Sequence, residues 1–80
     1  MLLKFGNVIY DLKYCEKIVL QNFAQFTQLY LSFIDGTDDK IDLRKYDCDP
    51  DELFEQICNN KNKDDVILRI EKKEDEKDVS

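Results

Sequence analysis

Apolar and polar residues alternate along most of the chain, and the alternation has a strand period in five places. Leu3 and Phe5 flank Lys4, then Val8, Tyr10 and Leu12 alternate with Ile9 and Asp11. Gly6-Asn7 between them is turn chemistry, so residues 2–12 are predicted to form a tight hairpin. A strand is predicted over Tyr14–Leu20, which is rich in β-branched and aromatic residues. Residues 21–34 fit two readings. Val19, Phe23, Phe26, Tyr30 and Phe33 fall at helical steps, whereas Leu29, Leu31 and Phe33 share one face at period two. The strand reading, about 28–35, is preferred because Asp35-Gly36 follows as a hairpin turn and alternation resumes over 40–46. There Ile41 and Leu43 face inward and Asp42 and Arg44 outward.

A helix is predicted over about 50–59. Asp49 suits the N-cap, Pro50 the first helical position, and Asp51 and Glu52 the positive end of the dipole. Leu53, Phe54, Ile57 and Cys58 are assigned to its apolar face, with Asn59-Asn60 as the stop. Val66 to Ile70 reads as a last strand. The predicted order is five strands, a helix and a strand. The expected fold is α+β: an antiparallel sheet of four to five strands with one short helix packed on one face. Residues 1–71 form the single domain; residues 72–80, almost all charged, form a solvated or disordered tail. Eighty residues with 42% hydrophobic content allow one small core, so a partner or self-association contributes to stability.

Charge is spread unevenly. No charged residue occurs from Val19 to Ile34, while 35–55 holds nine acids against three bases, a net −6 equal to that of the whole chain. Concentrated negative charge repels nucleic acid and attracts basic partners. Lys4, Lys13 and Lys17 leave only a slight basic excess near the N-terminus, so direct nucleic-acid binding is not expected. The uncharged stretch is too short and too polar to span a bilayer, and the first residues lack a signal-peptide run. With three widely spaced cysteines, Cys15, Cys48 and Cys58, the expectation is a soluble, cytoplasmic protein with free thiols.

Candidate chemistry is sparse. Histidine is absent, which removes the commonest general base. Two glycines cannot build a phosphate loop. Residues 47–52 resemble a calcium loop in their alternating carboxylates, but its sixth position is Glu52 and its twelfth is Cys58, where Gly and Glu are needed. Asp35, Asp38, Asp39 and Asp42 offer oxygen ligands for a weak divalent site. The thiols are spaced too far apart for a usual zinc site; Cys15 and Cys58 read as buried and Cys48 as exposed. Neither an enzyme nor a cofactor is expected.

Two partner surfaces are predicted. The acidic one comprises Asp35, Asp38, Asp39, Asp42, Asp47, Asp51 and Glu55. The aromatic one comprises Tyr14, Phe23, Phe26 and Tyr30 on the sheet face left open by a single helix. In size, charge and Lys-, Asn- and Asp-rich composition the chain resembles the small acidic proteins with which bacteriophages block host nucleic-acid enzymes. That resemblance implies inhibition by phosphate mimicry and carries no residue across. The leading expectation is an interaction protein that inhibits or regulates a larger partner with a basic surface. The alternatives are an assembly module that self-associates through its aromatic face, and a weak divalent-metal protein.

Overall fold

Among the described residues, six strands divide between two three-stranded sheets. The computed structural model describes residues 1–73. Strands β1 (Leu2–Phe5) and β2 (Val8–Asp11) form the first hairpin. Its turn has Gly6 at φ +57° followed by Asn7 at negative φ, the pattern of a type II′ turn. Strand β6 (Ile67–Ile70) pairs parallel with the other edge of β1, giving the order β2-β1-β6. The second sheet is an antiparallel meander of β3 (Cys15–Asn22), β4 (Thr27–Phe33) and β5 (Asp38–Asp42). Helix α1 spans Pro50–Asn60 between β5 and β6.

The α+β class and the element order match the sequence expectation; the single sheet does not. Alternation identifies a strand but not its neighbour, and it reads the same for parallel and antiparallel pairing. What divides the meander is a 3-10 turn over Leu12–Tyr14, which drops Leu12 into the core and swings the chain into the second sheet. A matching 3-10 turn, Leu43–Lys45, ends β5 at Asp42, so the strand expected to reach Tyr46 is shorter. In both turns an aspartate, Asp11 or Asp42, accepts from the amide two residues on, at 3.0 Å. The ambiguous segment 21–34 is strand on both sides of a short loop at 23–26.

Buried side chains from both sheets and the helix meet in one cluster that includes Leu3, Phe5, Leu12, Leu29, Leu31, Ile41, Leu43 and Ile70. From α1 it takes Leu53 and Ile57, one turn apart. Cys58 is exposed, contrary to the expectation, because each helical residue advances about 100° and the next position after Ile57 leaves the stripe. The cap is as expected: Asp49 Oδ1 accepts from the amides of Asp51 at 3.0 Å and Glu52 at 3.5 Å. Beyond β6 the chain keeps pairing. Glu71 accepts from the Asp47 amide at 2.8 Å, and the Lys73 amide donates to Lys45 at 2.9 Å. The rest of the tail expected from residue 72 lies outside the described residues. No described helix is long and apolar enough to cross a membrane.

Candidate functional site

The register of the second sheet divides the expected acidic surface. Leu29, Leu31 and Ile41 are buried, so the opposite face carries Tyr30, Asp38, Lys40 and Asp42. Lys40 lies between two aspartates on that face, which dilutes its charge, and Asp39 points the other way. Each of these carboxylates also has an internal partner. Tyr30 donates its hydroxyl to Asp38 at 3.0 Å, and Tyr10 donates to Asp39 at 2.6 Å. Asp42 binds Arg44 through Nη2 at 2.6 Å, which holds its carboxyl below the usual range. Asp35 Oδ1 accepts from the Thr37 hydroxyl at 2.7 Å and the Thr37 amide at 3.0 Å, and these bonds lower its pKa too. The Tyr10 phenol is pushed up, first by burial and then by Asp39.

The second half of the acidic stretch is different. Asp47, Asp51 and Glu55 are exposed, and so is Glu52. Among the described residues none of these four side chains has a hydrogen bond or ion pair. Glu52 was assigned by sequence only to the helix start, but its place three residues before Glu55 puts both on one exposed face. From Tyr46 to Asn60 the chain has five acids and no Lys or Arg. Among the described residues, the side chains of Asp47, Asp51, Glu52 and Glu55 are thus left to solvent or a partner.

The four aromatic residues expected on one open face lie in three places. Tyr30 is half-buried on the exposed side of β4. Phe23 and Phe26 stack at 4.9 Å in the loop between β3 and β4, where the Arg44 guanidinium lies 4.8 Å from the Phe26 ring centre. Tyr14 lies at the opposite end of β3, about 25 Å away at a strand's rise per residue. It borders a cleft of about 500 Å³ at the seam of the two sheets. Tyr10 and Phe33 stack there at 6.1 Å, and Ile9 and Ile34 stand on its rim, 58% and 64% exposed. Asp11, Asp35 and Thr37 complete the lining. Sequence reasoning missed this cleft because its residues come from two segments, 9–14 and 33–37, that are far apart in sequence; the one hint was the adjacent apolar pair Val8-Ile9, too many for one buried face.

Cys15 is buried and its thiol donates to the Lys17 carbonyl at 3.3 Å. Cys48 is half-buried, and burial pushes its thiol up. Cys58, read as buried, is thus exposed, and Cys48, read as exposed, is half-buried. Among the described residues no three His, Cys, Asp or Glu side chains converge on a point that would hold a metal ion. No protein family, curated protein or solved structure matches the chain significantly.

Proposed function

We propose that this is a small acidic interaction protein that binds a larger macromolecular partner with a basic surface and inhibits or regulates it. The observation that carries the reading is the uncompensated set Asp47, Asp51, Glu52 and Glu55 on and before α1. A rigid helix start presenting carboxylates to solvent offers complementary charge at fixed spacing, which steers encounter and selects partners. A groove that binds nucleic acid is such a basic surface, so phosphate mimicry of a nucleic-acid enzyme's substrate is the inhibitory form. The setting is cytoplasmic, where three thiols stay reduced. The scatter of Tyr14, Phe23, Phe26 and Tyr30 favours this over self-assembly through one aromatic face.

The test is capture of partners from cell lysate on the immobilised protein, eluted across a salt gradient. The native chain is expected to hold a partner that leaves at moderate salt, because exposed charges are screened. The double variant Asp47→Lys, Glu55→Lys is expected to capture none. Neither residue lies in the first helical turn, so the cap and the dipole contacts remain. Capture that survives the reversal, or that resists high salt, overturns the reading.

A further inference from the structure

The seam cleft has a backbone side as well as a side-chain side. In the first sheet β2 is an edge strand. Its partners on β1 are Phe5 for Val8 and Leu3 for Tyr10, and the Leu12 amide donates to Met1 at 3.0 Å. In an antiparallel ladder, hydrogen-bonded pairs alternate with non-bonded ones. A two-residue turn and the Leu12–Met1 bond place the bonded pairs at Val8, Tyr10 and Leu12. The amides of Ile9 and Asp11 therefore point away from β1, along an edge that no described strand pairs. Three consecutive residues, Ile9, Tyr10 and Asp11, line one cleft although successive side chains point to opposite faces. The cleft must run along the edge of the strand rather than over one face of it.

We infer that this cleft takes an extended basic-apolar segment of a protein partner, which adds to the free edge of β2 and lays its side chains between β2 and the β4–β5 turn. The inference rests on the interaction reading above and names the partner's segment. Edge addition supplies affinity through backbone bonds and specificity through flanking pockets. The pocket chemistry chooses the occupant. Three of the six large apolar side chains exposed among the described residues, Ile9, Tyr14 and Ile34, line this one cleft, which calls for aliphatic contact. Asp11 and Asp35 flank it and keep one carboxylate oxygen each free of the turn bonds, which calls for Lys or Arg. Tyr14 already attracts a cation: the Lys13 ammonium stands 5.6 Å from its ring centre. A second copy of this chain is the poorer occupant, because it would bring its own Asp11 and Asp35 against these and add another −6.

The experiment is an amide-resolved NMR titration of the intact protein with a synthetic peptide alternating Lys or Arg with Val or Leu. Shifts are expected at Ile9, Asp11, Tyr14, Ile34 and Asp35. They should vanish when alternate peptide amides are N-methylated, since that removes ladder donors, and when Glu replaces the basic residues. Ile34→Lys, at a site 64% exposed and so tolerant of change, should weaken binding about tenfold by repulsion. Shifts confined to α1 would overturn the cleft and leave the interaction reading standing. No shift at millimolar peptide in low salt would overturn both. A dimer in sedimentation that Ile9→Lys dissolves would overturn the partner segment in favour of a second copy.

Discussion

Removing one hydroxyl should measurably loosen the seam. Among the described residues, Tyr10 to Asp39 at 2.6 Å is the one side chain to side chain hydrogen bond joining the two sheets. Tyr10→Phe deletes it and keeps the ring stacked on Phe33 at 6.1 Å. A hydrogen bond to a charged group contributes about 1.5–3 kcal/mol net. Asp39 is exposed and regains water when the phenol is lost, so the expected cost lies at or just below the bottom of that range, about 1–1.5 kcal/mol. In a domain of this size that lowers Tm by about 5–10 °C. A double-mutant cycle with Asp39→Ala isolates the pair: the two substitutions together should cost little more than either alone. The alkaline limb gives a second reading. The Tyr10 pKa is raised in the folded protein above the ordinary 10.0, so its contribution is complete below that pH and fades as pH rises past it. The gap in stability between native protein and Tyr10→Phe should therefore close above pH 10, the other tyrosines being common to both. Additive costs in the cycle, with coupling below about 0.3 kcal/mol, would refute the bond.

Further expectations follow from the caps, the carboxylates and the thiols. Asp49→Ala should cost about 0.5–2 kcal/mol in urea unfolding, and Asp49→Ser should recover most of it, because either side chain accepts from the first-turn amides. Asp35 and Asp42 have folded pKa values below the ordinary 3.8, so their contributions are present above that value and lost as pH falls through it and below. Thermal melts taken toward acid should show a shallower decline for Asp42→Asn than for the native chain. With a thiol-specific reagent Cys58 should react first, Cys48 more slowly because its thiolate is disfavoured, and Cys15 only in denaturant.

What was legible in the sequence is short-range. Alternation put Leu3 with Phe5 and Leu29 with Leu31 on common faces and turned Ile41 and Leu43 inward, and all six are buried. Asp49-Pro50 gave the helix start and Asp35-Gly36 a turn, with Gly36 at φ +93° where a side chain would be strained. The missing information was of two kinds. One is pairing: β1 bonds β2 across a two-residue turn and β6 more than sixty residues away, and nothing in four alternating residues selects a distant parallel partner. The other is a repeated local device. Asp11-Leu12-Lys13 and Asp42-Leu43-Arg44 each end a strand with an aspartate bonding the amide two residues on while leucine turns inward. Read as alternation, both leucines simply extend a strand. Read as an aspartate turn, both end one. The candidate cleft was illegible for the first reason, since it exists only where the two sheets meet.

The same contrast decides where charge is available for recognition. Composition weights every carboxylate of 35–55 equally, and on that count the β4–β5 hairpin is as good a handle as the helix. The bonds say otherwise. Changing Asp38, Asp39 and Asp42 to Lys removes the acceptors of Tyr30 and Tyr10, the cap of a 3-10 turn and the partner of Arg44, and sets new like charges beside Lys40 and Arg44. That variant is expected to lose stability by circular dichroism before any partner is added, so failed capture with it would report folding as much as binding. Asp47→Lys, Glu55→Lys reverses four units of charge at side chains that hold nothing else in the described structure, and should melt near the native temperature. If the hairpin variant instead melts like the native protein and alone fails to capture, the exposed face of the β3–β4–β5 sheet carries recognition and the helix does not.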